Sequence, residues 1–174
     1  MNGLRLRLLG NRRKENHEDR IRVMLKNIPI FDGLSKRELL AVERILHKRE
    51  YQPDEVIFRQ EEPGMGMYII ESGTVEIISE PSQVQLSELT DGEFFGELAI
   101  LDESPRSATA RSKTQCTIFG FFQPDLFSLI ERNPRLGVKI VMRLARIIGE
   151  RLRKANERTQ RIRKEFDQPA PGLQ

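Results

Sequence analysis

Between Arg49 and Phe122 the chain repeats one pattern: short runs rich in β-branched and aromatic residues, cut at close intervals by turn-forming clusters. The runs are Val56–Phe58, Met67–Ile70, Thr74–Ile78, Val84–Leu89, Ala108–Arg111 and Thr114–Phe122. The cuts are Gln52-Pro53-Asp54, Pro63-Gly64, Glu71-Ser72-Gly73, Glu80-Pro81-Ser82, Thr90-Asp91-Gly92 and Arg111-Ser112-Lys113. Many short strands, closely spaced, predict a sandwich or a jelly-roll barrel. One stretch breaks the rhythm. Phe94-Phe95-Gly96-Glu97-Leu98-Ala99-Ile100-Leu101-Asp102 places helix formers where another strand is due, so a short helix is expected within the barrel.

Helical periodicity flanks this region. His17–Asn27 carries Ile21, Met24, Leu25 and Ile28 on one face, and Pro29 closes it because the residue before a proline avoids helical geometry. Ser35-Lys36-Arg37-Glu38 is a capping-box pattern that opens a second helix with Leu39, Leu40, Val42, Ile45 and Leu46. Past the strands, Pro124–Glu131 predicts a short helix and Asn133-Pro134 starts a long one. Its positions Val141, Ala145, Ile148, Leu152, Ala155, Thr159, Ile162 and Phe166 step by four and three, which is a heptad seam. Leu144 and Ile147 widen the stripe where the helix would also pack on the barrel. The expected fold class is mainly β with flanking helices (α+β): a jelly-roll β-barrel with N-terminal helices and a long C-terminal helix. The expected divisions are a basic arm over 1–17, N-terminal helices over 18–48, the barrel over 49–123, C-terminal helices over 124–166, and a disordered tail over 167–174.

Composition narrows the function classes. A length of 174 residues suits one domain with helical extensions. The net charge of +3 hides nearly balanced acids and bases, so it does not by itself imply nucleic acid. No apolar run approaches the ~20 residues of a membrane span. The lone Cys116 allows no internal disulfide and suits a buried inert thiol in a reducing compartment, so a cytoplasmic protein is expected. Met1–Lys14 alternates Leu and Arg too briefly for a signal peptide; it reads as a frayed basic arm or a transient contact to an anionic surface. The two histidines, His17 and His47, precede the barrel on expected helices, so neither a metal site nor an enzyme is expected.

The anomalous stretch carries the chemistry. A short helix between strands presents unpaired N–H groups at its start, which favour an anion. Gly96 would let a ligand approach the backbone, Leu98 and Ala99 would offer amides, and Glu97 could hold a sugar hydroxyl. Pro105-Arg106-Ser107 closes the segment with a guanidinium suited to a phosphate. The alternative is that Glu97 and Arg106 form a salt bridge across the base of the insert.

Phe95-Gly96-Glu97-Leu98-Ala99-Ile100-Leu101, followed by Pro105-Arg106-Ser107-Ala108-Thr109, resembles the phosphate-binding cassette of the cyclic nucleotide-binding domain family. The likeness extends through Ile28-Pro29-Ile30-Phe31, Tyr68-Ile69-Ile70, Gly73-Thr74-Val75 and Asp91-Gly92-Glu93-Phe94, covering roughly Ile28 to Arg153. It implies that Glu97 accepts from the ribose 2′-hydroxyl. It also implies that Arg106 pairs with the cyclic phosphate, helped by Ser107, by the neighbouring Ala108 segment and by the Leu98 and Ala99 amides. Two departures stand out. The turn Gln60-Glu61-Glu62-Pro63 lacks the glycine many relatives carry, at a place expected to be remote from the ligand. Where catabolite activator proteins read adenine with a Thr-Ser pair, this chain has Arg151-Leu152. Those two residues are the expected lid over the base.

The expected function is therefore a regulatory sensor, without catalysis, for a cyclic nucleotide monophosphate, cAMP more than cGMP, that signals by moving its C-terminal helix. The alternative is a non-binding scaffold of the same fold acting through helix-mediated dimerisation or partner docking. A homodimer through the long helix and an unidentified downstream protein are expected partners. The basic residues of that helix read as a solvated coiled-coil flank, with contact to nucleic acid the alternative; no element for sequence-specific DNA binding and no transmembrane segment is visible. The resemblance thus points to a form of the domain with no attached effector.

Overall fold

Alternation along two strands sets the architecture. In β3 (Gly66–Ser72), Met67 and Ile69 join one apolar cluster while Tyr68 and Ile70 join another. In β8 (Cys116–Phe122), Phe119 and Phe121 join the first, and Cys116 and Ile118 the second. A sheet apolar on both faces needs a cover on each side. Here one cover is helical and the other is a second sheet.

The computed structural model describes residues 20–102 and 104–166. The basic arm, His17 at the start of the first expected helix, and the tail over 167–174 lie outside the described residues, as do the side chains of Ile162 and 164–166. The remaining strands are β1 (His47–Tyr51), β2 (Val56–Phe58), β4 (Val75–Ser79), β5 (Val84–Leu89), β6 (Phe94–Phe95) and β7 (Thr109–Ser112). They form two antiparallel sheets of four, ordered β1-β8-β3-β6 and β2-β7-β4-β5. This is the expected jelly-roll with flanking helices.

Among the described residues there are four α-helices: α1 over residues 20–27, α2 (Lys36–Glu43), α3 (Gln123–Arg132) and α4 (Pro134–Phe166). Ser35 and Glu38 close the expected capping box, with Oε2 of Glu38 accepting from the Ser35 amide at 2.7 Å. Asn133 Oδ1 accepts from the Leu136 amide at 3.2 Å and starts α4 where the proline rule put it. Leu136, Ile140 and Leu144, one turn apart, are fully buried against the helical side of the first sheet. Lys139–Glu38 at 2.7 Å and Arg143–Asp32 at 3.2 Å fasten α4 to α2 and to the 3-10 turn Pro29–Phe31.

Several boundaries differ from the sequence reading. His47 begins β1 instead of ending a helix, and α2 stops at Glu43, before Ile45 and Leu46. The reason is that only Tyr51 of β1 is buried, so its charged residues show no alternation; pairing with β8 makes the strand. The seam expected along α4 is partly spent on the protein's own core, where Val141 and Ile147 pack beside Leu144. Ala145 and Leu152 remain exposed.

Candidate functional site

The insert at Phe95–Asp102 holds a single turn. Gly96 takes φ +73°, a left-handed conformation that suits glycine, and Glu97–Ile100 then form a 3-10 turn of four residues. This corrects the expected helix with a row of free amides. The Ala99 amide donates to Gly96 O at 3.3 Å, and one turn has little dipole to offer an anion. The charge must come from side chains.

Arg106 supplies it. Its backbone is braced on both sides, because the Glu61 amide donates to Arg106 O and the Arg106 amide donates to Glu62 O, each at 2.9 Å. The turn Gln60-Glu61-Glu62-Pro63, expected to be remote from the site, is therefore its backbone support. The guanidinium enters the barrel mouth, 4.1 Å above the Phe58 ring and 5.6 Å from Tyr68. Phe58, Tyr68 and Phe95 pack with centroids 5.5–5.8 Å apart and form the floor beneath it. Nη1 donates to Gly66 O at 2.7 Å and to Gly96 O at 3.2 Å. Nε is buried with no partner, and among the described residues no carboxylate lies within ion-pair distance. Burial pushes the group's pKa below its ordinary value, yet an arginine stays charged. Among the described residues carbonyl dipoles, aromatic rings and the nearby Tyr68 and Glu62 favour this buried cation without pairing it, and it is costly unless an anion joins it.

Glu97 faces the same space and is buried. The expected alternative paired it with Arg106. Instead it pairs with Arg151 of α4, Nη1 to Oε1 at 2.6 Å. Arg151 also donates from Nη2 to Phe94 O at 3.2 Å and lies 4.7 Å above the Phe94 ring. The helix is thus fastened to the root of the insert.

These groups share one cavity of about 910 Å³. Gly96, Glu97, Leu98 and Ala99 line it from the insert, Arg106, Ser107 and Ala108 from the closing segment, and Arg151 from α4. Leu152 does not line it. One residue on from Arg151, it is turned by ~100° and left 60% exposed. The residues that do follow Arg151 on the cavity side are Ala155 and Arg158, spaced by four and three. Sequence reasoning missed both, although that spacing was available once Arg151 was placed. It also missed the far wall, where Ile77 of β4 and Leu86 and Leu89 of β5 face the helix.

A sequence model of the cyclic nucleotide-binding domain matches residues 48–133, enclosing the barrel, the insert and Arg106. Those residues belong to the cyclic nucleotide-binding domain family. Within it, the chain is 32% identical over 135 residues to the cyclic AMP receptor protein of Thermus thermophilus, covering 76% of this chain and 61% of that one. It is 32% identical over 107 residues to the cAMP-dependent protein kinase regulatory subunit of Schizosaccharomyces pombe, covering 62% of this chain and 26% of that one. Both relatives extend well beyond the shared domain. The crystal structure of the catabolite activator protein of Thermus thermophilus superimposes with a TM-score of 0.68 at 31% identity, over 77% of this chain and 62% of that one. Among the described residues no group of three or more His, Cys, Asp or Glu could hold a metal ion. No described helix is long and apolar enough to cross a membrane.

Proposed function

We propose that the cavity binds a cyclic purine nucleotide as a regulatory ligand. The observation that carries this reading is the buried Arg106, whose Nε lacks a partner inside a cavity able to admit one. A singly charged cyclic phosphate would take the guanidinium donors that Gly66 O and Gly96 O leave free, on Nε and Nη2, and offset its desolvation. Glu97, with one carboxylate oxygen on Arg151, keeps the other to accept from a ribose hydroxyl. Ser107, exposed beside Arg106, would add a hydroxyl donor, and the Leu98 amide would close the phosphate shell.

The same geometry supports a signal. A ligand moves an equilibrium only by preferring one arrangement. Here it would touch Glu97 and hence Arg151, the residue that seats α4 on the insert. Redistributing that carboxylate between sugar and guanidinium changes how firmly the helix is held. Its exposed outer half would pass the change to a second copy of the chain or to another protein. The relatives' names point to cAMP, while the resemblance would put Arg151-Leu152 in place of an adenine-reading pair.

Calorimetry with cAMP and cGMP tests this. Arg106→Ala should weaken binding by roughly 2–5 kcal/mol, the usual loss when one side of a buried charge pair is removed. Arg106→Lys, which keeps the charge but not the fork, should fall between. Equal affinity in all three proteins would overturn the reading. So would the absence of any thermal shift at millimolar ligand, which would leave a scaffold acting through α4 alone.

A further inference from the structure

The turn Gln60-Glu61-Glu62-Pro63 braces the backbone of Arg106, and a ring of hydrogen bonds behind it braces the turn. The Gln60 amide donates to Thr109 Oγ1 at 2.9 Å. The Thr109 hydroxyl donates in turn to Oε1 of Glu80 at 2.8 Å. The Glu80 amide donates to Oε1 of Gln60 at 2.7 Å and closes the ring. Three places far apart in sequence are joined in this way: the turn after β2, the first residue of β7 and the turn between β4 and β5. None of the three residues lines the cavity. Thr109 is 3% exposed, so its hydroxyl must find its partners inside the protein. Its backbone already pairs with Ile78 of β4, so the hydroxyl is not what makes the strand.

We propose that Thr109 and Glu80 are positioning residues for ligand binding, which hold the Arg106 guanidinium in its place at the barrel mouth. The proposal rests on the cyclic nucleotide reading and adds how its cation is aimed. Thr109 lies three residues after Arg106, and Gln60 lies one residue before Glu61, whose amide donates to Arg106 O. The ring therefore pins the turn to β7 on one side of Arg106. A short bridge between Pro63 and Pro105 pins it on the other. Aim matters because a guanidinium fork grips an anion only when both donors point at it. Nη1 is spent on Gly66 O and Gly96 O, so Nε and Nη2 must face the ligand. A backbone free to shift at residue 106 would keep the charge and lose that alignment. What the ring needs from Glu80 is an acceptor oxygen, not a charge, because the Thr109 hydroxyl donates to it.

The test uses the full chain, with calorimetry of cAMP and cGMP and with NMR of the Arg106 Nε–Hε signal in the free protein. Thr109→Val removes the hydroxyl and keeps the branched shape, whereas Thr109→Ser keeps the hydroxyl. Thr109→Val should weaken nucleotide binding on the order of tenfold, and Thr109→Ser should stay within about threefold of the unaltered chain. Glu80→Ala should repeat the loss from a different element. Glu80→Gln, whose amide oxygen still accepts, should restore affinity. Nε is buried in the unaltered protein, so its proton should exchange with water roughly tenfold faster in Thr109→Val and Glu80→Ala than in the conservative variants. Thermal melting establishes that each variant is folded. Full affinity in Thr109→Val with a lowered melting temperature overturns the proposal, because the ring is then structural only. Glu80→Gln binding as weakly as Glu80→Ala also overturns it, because the effect is then one of charge. If neither nucleotide binds the unaltered chain, the cyclic nucleotide reading fails as a separate result. The exchange measurement then decides the positioning alone, and equal exchange in every protein overturns it.

Discussion

Nη1 of Arg151 and Oε1 of Glu97 stand 2.6 Å apart, joining the exposed half of a long helix to a carboxylate at the mouth of the barrel. The two ends of this pair differ. The Glu97 side chain is 9% exposed and that of Arg151 46% exposed. Removing the arginine therefore leaves a nearly buried charge without its partner, whereas removing the carboxylate leaves a cation that water can reach.

From that asymmetry, Arg151→Ala should cost more stability than Glu97→Gln, roughly 2 kcal/mol against about 1. The double variant should cost less than the two combined, since neither charge is then stranded. Urea unfolding of the four proteins measures this directly. Hydrogen exchange should also show faster amide exchange over 151–161 in Arg151→Ala, because no other described side chain of that stretch forms an ion pair with the barrel. An additive cycle with unchanged exchange would mean the pair does not hold the helix.

Glycines crowd Arg106, and two of them make a second prediction. A Cβ on Gly96 would sit 2.7 Å from Nη1 of Arg106, at a φ of +73° that alanine adopts only at a cost. A Cβ on Gly64 would collide with that of Ala99 and come within 3.2 Å of Nε. Gly96→Ala should therefore lower stability by about 1–2 kcal/mol from the backbone alone. It should also weaken cyclic nucleotide binding, because the guanidinium must move. Gly92 is the control. It too has positive φ, but nothing lies within 4 Å of its Cβ position, so Gly92→Ala should lose stability without losing affinity.

How much of this was legible follows from which forces write themselves into local sequence. The jelly-roll was visible because its core strands are short runs rich in β-branched and aromatic residues bounded by turn clusters, as Met67–Ile70 and Cys116–Phe122 are. β1 was not, since four of its five residues face solvent and only pairing with β8 makes them a strand. Arg106 and Glu97 were legible through the cassette they resemble. Their partners were not, because hydrogen-bond geometry across forty residues, as from Arg106 to Gly66, leaves no periodic trace. Of the two residues expected as a lid, Arg151 lines the cavity and Leu152 does not, because one step along a helix turns a side chain by ~100°; Ala155 and Arg158 reach the cavity by their four- and seven-residue spacing from Arg151.

Glu38 gives a pH prediction. Hydrogen bonds from Lys139 first, then from the Ser35 amide, hold its carboxyl at about 2, below the usual 4.5. A depressed native pKa means the folded state favours the ionised form, so its contribution is complete above pH 4.5 and disappears as pH falls towards 2. The Glu38 side chain is 19% exposed, but its lysine partner is 51% exposed and water screens the pair, so that contribution is on the order of 1 kcal/mol. Glu38→Gln should be less stable than the unaltered chain at pH 7, and the two stabilities should converge between pH 4.5 and 2. Denaturant midpoints across that window decide it; a constant gap would assign the effect to packing.

The exposed apolar side chains of α4 set the last expectation. Val138, Met142 and Leu152 are 58%, 62% and 60% exposed, and they lie on steps that a heptad pairing with a second copy would bury. Val141 cannot serve, being already packed against Leu144 and its neighbours. If two copies meet along this face, burying Leu152 from both should contribute roughly 3–6 kcal/mol. Leu152→Glu would remove that and place like charges opposite each other, raising the dimer dissociation constant by at least about a hundredfold. Because Leu152 lies outside the cavity, cyclic nucleotide affinity per chain should fall only if binding and dimerisation are coupled through α4. Sedimentation equilibrium with and without ligand separates the cases: a variant that turns monomeric and binds more weakly couples the seam to the site. One that turns monomeric with unchanged affinity makes the seam independent of the ligand. A chain that is monomeric before substitution leaves α4 for a different partner.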